Sequence, residues 1–289
     1  MPELDLAVVT SDALAQIRAR RPLIHHITNY VVMTDTANVT LHIGASPVMA
    51  HALDEVREMV GHAGCLVLNI GTLEPAWIEA MLAAGEEANR VGVPVVLDPV
   101  GVGATRLRSV AVERILGAVR VDVVRGNAAE LSAMAGLTAE IRGVDAVSAD
   151  SPATAAAAVA RRTGGVAVVS GARDYVADAH RLATIANGHP LMGAITGSGC
   201  MASALVGAFR AVEPDSFLAG AAAMIAFGIA GEVAAERSAG PGTFRVQLMD
   251  AVYLLDADTI LARARATARD LDGGASPDGA AKSGSGGMV

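Results

Sequence analysis

Lysine is almost missing. Of 22 lysine and arginine residues in 289 positions, one is lysine, Lys282, and it stands in the tail. Any cationic grip on a phosphate therefore falls to arginine, and a Walker-type phosphate loop, which needs its lysine, is excluded. Aromatics make up only 3%, so Ala, Val, Leu and Ile must fill the core that a 52% hydrophobic content builds. Two cysteines, Cys65 and Cys200, are too few for a disulfide scaffold, and their apolar neighbours suit a reducing, cytoplasmic compartment. Basic charge is also short: the net charge of −8 argues against nucleic acid or an anionic membrane as partner. Glu3 and Asp5 stand where a secretory leader would be positive. The longest charge-free helical run, Ser216 to Gly231, is shorter than the roughly 20 residues of a membrane helix. A soluble protein is expected.

What is present is alternation. Apolar runs of strand length, Leu23 to Thr28, Ser46 to Met49, Cys65 to Ile70, Val93 to Leu97, Val121 to Val124 and Val166 to Ser170, alternate with helical spacing. The helices are expected over Ser11 to Arg21, Val31 to Ile43, Asp54 to Val60, Pro75 to Val91, Ser109 to Val119, Ala128 to Ala135 and Ala153 to Arg162. Such alternation is the signature of an α/β fold, a mostly parallel central sheet covered by helices on both faces. Tyr175 to Ala177 and Arg181 to Ile185 read as an appended hairpin. Two long helices, Asp215 to Arg237 and Thr243 to Ala266, follow. With no internal repeat or linker, residues 1–272 read as one domain, and the Gly/Ala/Ser-rich tail 273–289 as disordered.

Ligands of open α/β sheets bind beyond the carboxyl ends of the strands, and polar residues gather there. Gly71-Thr72 follow one strand, Asp98-Pro99-Val100-Gly101 another, Arg125-Gly126-Asn127 a third with Glu130 one turn on, and Ser170-Gly171 a fourth. Asp98 and Glu130 are hard oxygen donors suited to Mg²⁺, although a turn aspartate and a first-turn glutamate explain them equally well. Arg125 is favoured as a phosphate contact over a surface ion pair, because no lysine competes for the role. Ser170 suits a nucleotide contact or a turn. Met49 suits a pocket wall or the core. His25 and His26 fall on opposite strand faces and read as structural, and Cys65 reads as core.

The densest constellation is 193–209, GAITGSGCMASALVGAF. Gly197-Ser198-Gly199 lets the backbone turn sharply into a helix, whose free N–H groups and dipole make an anion site and would stabilise a thiolate at Cys200. The competing reading is an ordinary tight turn with Cys200 as a small apolar filler.

These segments together resemble the hydroxyethylthiazole kinases of thiamin salvage. The likeness rests on PLIHHITNYVVMTDTAN (22–38), GASPVMAHALDEV (44–56), LVLNIGTL (66–73), LDPVGVGAT (97–105), RGNAAEL (125–131), GVDAV (143–147), VVSGARDYVADAHR (168–181) and NGHPLMGAITGSGCMASALVGAF (187–209). The resemblance implies a three-layer α/β/α ribokinase-like fold. It implies transfer of the γ-phosphoryl group of ATP to the primary alcohol of 4-methyl-5-(2-hydroxyethyl)thiazole, with Mg²⁺, in a homotrimer with sites between subunits. On the family's motifs, Met49 and Gly197 fall at substrate-contacting positions, Arg125 and Ser170 at ATP-contacting ones, and Asp98 and Glu130 at positions of the metal and phosphates. Cys200 takes the place of the aspartate base of other ribokinase-like enzymes, beside the attacking hydroxyl, and the amides from Gly197 through Gly199 to Cys200 would hold the γ-phosphoryl group. Ser198 and Ser170 replace threonines, and His26 replaces a cysteine common in relatives. Two rivals stay open: a dehydratase of the same fold acting on a hydrated nicotinamide nucleotide, which would carry aspartate where Cys200 stands, and a non-catalytic nucleotide-binding protein.

Overall fold

In the computed structural model, which describes residues 5–137 and 151–271, nine strands form one sheet in the order β2-β1-β3-β4-β5-β6-β7-β8-β9. The GVDAV segment at 143–147 and the tail at 273–289 lie outside the described residues. Strands β1 (Leu23–Ile27), β2 (Ser46–Val48), β3 (Cys65–Asn69), β4 (Val95–Asp98), β5 (Val123–Asn127) and β6 (Val166–Ser170) run parallel. The hairpin β7 (Asp174–Ala177) and β8 (Arg181–Ile185) continues the sheet antiparallel, as expected, and β9 (Ala266–Asp270) closes that edge.

Alternation along the strands sorts two cores. Cys65 and Val67 of β3 and Val166 and Val168 of β6 face one side, while Leu66, Leu68, Ala167 and Val169 face the other. Helices α1 (Leu6–Arg20), α2 (Met33–Ile43), α8 (Ser198–Arg210), α9 (Ser216–Glu236), α10 (Pro241–Leu254) and α11 (Ala257–Arg263) cover the first side. The second is covered by α3 (Val56–Val60), α4 (Pro75–Val91), α5 (Arg106–Ala118), α6 (Ala128–Met134) and α7 (Pro152–Thr163). The result is the three-layer α/β/α arrangement.

Few aromatics suffice because helix backbone lies almost on the sheet. A Cβ at Gly207 of α8 would come 2.5 Å from Val67, and one at Gly220 of α9 would come 3.0 Å from Val168. Helix α9, with 21 residues, is long and apolar enough to cross a membrane, yet it is buried among α1, α8 and α10. The expected 243–266 helix is two helices and a strand. Asp256 caps α11 through Thr259 N at 2.8 Å, and residues 266–270 pair with β8. Strand β9 is exposed along most of its length, so no apolar period announces it. The first helix starts five residues earlier than its Ser11 signal suggests, because Asp5 accepts from Ala7 N and Val8 N.

Candidate active site

The carboxyl ends of β1, β3, β4 and β5 meet the start of α8, and Ser170 at the end of β6 lines the same crevice. Gly197 takes φ +89°, and a Cβ there would lie 2.6 Å from Val32, so glycine is required twice over. Met201 N closes the first helical turn onto Gly197 O at 2.8 Å. The N–H groups of Ser198, Gly199 and Cys200 therefore have no carbonyl within the helix and lie at its positive end.

Beside them stands Arg125, carried by β5. It is only 6% exposed, donates through Nη2 to Ser170 Oγ at 2.5 Å, and its Nη1 would lie 2.7 Å from a Cβ at Gly199. Its Nε is buried without a partner. A guanidinium desolvated this far costs several kcal/mol unless counter-charge meets it, and the Asp98 and Asp174 carboxyls supply part of that charge. The crevice it lines, about 450 Å³, runs from Arg125, Ser170, Ser198 and Gly199 to an apolar end at Met224 and Phe227. The structure thus brings Arg125, Ser170 and Gly199 together, with Gly197 at their edge.

Cys200 faces a second polar network. Asn69 Nδ2 donates to Cys200 Sγ at 3.2 Å and to Asp98 Oδ2 at 2.8 Å, and Asn29 Nδ2 donates to Asn69 Oδ1 at 2.8 Å. Ser203, one turn along α8 from Gly199, donates to Asp98 Oδ2 at 2.8 Å. Burial pushes the thiol up to about 11, and the Asp98 charge adds to this. The thiolate expected from the helix end is therefore replaced by a neutral thiol, desolvation outweighing the dipole. Burial likewise raises Asp98 to about 6, against the pull of Arg125 and the two hydrogen bonds. At neutral pH this network holds one carboxylate and one thiol.

Glu130 is tied to backbone. It forms a capping box with Asn127, its Oε2 accepting Asn127 N at 2.9 Å, while Oε1 accepts Gly101 N at 2.8 Å. Among the described residues no cluster of three or more His, Cys, Asp or Glu side chains could hold a metal. Met49 follows β2 and is half-buried. Its carbonyl accepts His51 Nδ1 at 2.8 Å, and it does not line the Arg125 crevice. His25 and His26 are fully buried: His25 Nε2 reaches Ala50 O at 2.9 Å and His26 Nε2 lies 3.3 Å from Thr40 Oγ1.

Asn29, Asn69 and Ser203 escape sequence reasoning as site residues. The available signal was register: Asn69 ends β3 directly beside Asp98 at the end of β4.

Comparison with known proteins agrees with this geometry. A sequence model of the hydroxyethylthiazole kinase family matches residues 14–258. The hydroxyethylthiazole kinase of Desulforudis audaxviator is 53% identical over 262 residues, 90% of this chain and 96% of the relative. The solved hydroxyethylthiazole kinase of Pyrococcus horikoshii superposes with a TM-score of 0.84 at 43% identity, covering 90% of this chain and 98% of that one. A ribokinase-like protein of Enterococcus faecalis, 13% identical with a TM-score of 0.59 over 84% of this chain and 93% of that one, shares the fold alone. Because the family match spans residues 14–258, which include every residue lining the crevice, and the relative is 53% identical over 90% of this chain, the chain belongs to the hydroxyethylthiazole kinase family.

Proposed function

We propose that this chain transfers the γ-phosphoryl group of ATP to the primary alcohol of 4-methyl-5-(2-hydroxyethyl)thiazole, in thiamin salvage. The observation that carries the reading is Arg125, buried over the start of α8 with its Nε unpaired and the Cys200 network on the same helix turn. Phosphoryl transfer needs positioning and charge neutralisation more than covalent help, and the crevice offers both.

Arg125 and the amides from Gly197 to Cys200 hold the terminal phosphate, with Ser170 fixing the guanidinium. Met49 and Gly197 face the acceptor alcohol. Cys200, a neutral thiol, orients the hydroxyl rather than deprotonating it. As the new P–O bond forms and ADP departs, the hydroxyl proton passes to a phosphate oxygen of the products and from there to solvent. Asp98 and Glu130 fit a Mg²⁺ ion held chiefly by phosphate oxygens and water, since Asp98 Oδ2 and both Glu130 oxygens already accept amide or hydroxyl protons. Bound with ATP, Mg²⁺ supplies neutralisation of the phosphate charge. The assembly proposed is a cytoplasmic homotrimer with sites between subunits, each chain one catalytic domain over residues 1–272. Cys200, where a dehydratase of this fold would carry aspartate, disfavours that rival.

A coupled assay of ADP release over a panel of small heteroaromatic alcohols tests the reading. ADP formation that depends on the hydroxyethylthiazole, with its phosphate as product, is expected. ATP turnover indifferent to every alcohol would overturn it.

A further inference from the structure

Arg108 is an oddly placed charge. It occupies the first turn of α5, where Thr105 caps the helix by accepting from Arg108 N at 3.4 Å. A cation at that end opposes the helix dipole. Its guanidinium compensates by bonding three backbone carbonyls: Nη1 donates to Ile70 O at 3.0 Å and to Val100 O, and Nη2 donates to Gly71 O at 2.7 Å. Two of these carbonyls follow β3 and one follows β4, so a single planar group spans the ends of the two strands that carry Asn69 and Asp98.

The consequences reach both halves of the network. Gly71 N donates to Asn69 Oδ1 at 2.9 Å, which fixes the amide whose other end serves Cys200 and Asp98. Gly71 also packs on Asn29, a Cβ there falling 2.5 Å from Asn29 Nδ2. On the β4 side, Gly101 takes φ +71° above the Arg108 side chain, a Cβ there lying 3.2 Å from Arg108 Cδ, and presents its N–H to Glu130.

We infer that Arg108 is a positioning residue for phosphoryl transfer: by clamping the carbonyls of Ile70, Gly71 and Val100 it sets the Asn69–Asp98–Cys200 geometry without touching either substrate. The inference rests on the kinase reading above. Lysine cannot replace it, because an ammonium is a point donor and lacks the planar fork that spans separated carbonyls.

The test is steady-state kinetics on Arg108→Ala and Arg108→Lys, varying ATP and alcohol separately, with thermal unfolding of each and methylguanidine added back to Arg108→Ala. Misplacement of reacting groups by about 1 Å costs on the order of a hundredfold, so kcat should fall roughly ten- to hundredfold in both variants. The KM for ATP should stay within about twofold, since the Arg125 crevice is untouched. Methylguanidine should recover part of the lost kcat in Arg108→Ala. Wild-type kcat in Arg108→Ala would overturn the inference. So would a loss that methylguanidine leaves unchanged while the unfolding temperature and the KM for ATP move together, which is the pattern of a loop staple. A wild-type chain that phosphorylates no alcohol would instead remove the kinase reading, a result seen before any variant is made.

Discussion

Gly199→Ala should separate stability from nucleotide recognition. Gly199 lies in the first turn of α8, and an alanine there gains up to about 1 kcal/mol of helix propensity. Its Cβ would stand 2.7 Å from Arg125 Nη1, whereas ordinary contact begins near 3.4 Å, so the guanidinium must retreat by about 0.7 Å. The obstructing atom is the far end of a flexible side chain, and retreat is therefore cheaper than any shift of backbone. Retreat loosens the Arg125–Ser170 bond and withdraws the charge from the helix start. A hydrogen bond to a charged group contributes about 1.5–3 kcal/mol, so kcat/KM for ATP should fall roughly ten- to hundredfold. The unfolding temperature should fall by a few degrees at most, the propensity gain offsetting part of the weakened bond. ADP release measured against ATP concentration, beside a melting curve, reads both quantities. A wild-type kcat/KM for ATP would refute the reasoning, because it would mean that Arg125 does not sense the terminal phosphate.

Further outcomes follow from the same geometry. Gly207→Ala forces a methyl to 2.5 Å from Val67 in the closed α8–β3 contact and should cost about 1–3 kcal/mol, read as a lower urea midpoint. Cys200→Ser should lower kcat while leaving the KM for ATP intact; unchanged turnover would show that the thiol is dispensable. His26, fully buried, is held down at about 3 by desolvation, so the unfolded chain binds its proton first as pH drops below 6.5. Its contribution is complete above pH 6.5 and declines toward pH 3, by about 3 kcal/mol at pH 4.5. His26→Cys should flatten that dependence in urea titrations at pH 7 and 4.5, and an identical slope would count against it.

Much of the fold was legible because burial on both faces writes β3 to β6 as unbroken apolar runs. Strand β9 was not, since an exposed edge strand of mixed residues has no period to read. Arg125 was singled out through scarcity, lysine being unable to compete, and the structure places it in the crevice beside Gly199. The asparagines were not: Asn29 and Asn69 gain their meaning only when β1, β3 and β4 align, and single-chain spacing cannot reveal that register. The thiolate expectation at Cys200 failed for a related reason, because the helix start is visible in the sequence while the depth of burial is not.

Helix α9 has a bearing on how the chain comes into being. It covers β6 to β8 on one side of the sheet and packs against α1, although the two lie far apart in the sequence. Until the ribosome delivers residues 216–236, the part of that side over β6 to β8, with the faces of α1 and α8 that α9 covers, stays wet and adhesive. Premature termination before Glu236 should therefore yield aggregates rather than a smaller folded unit.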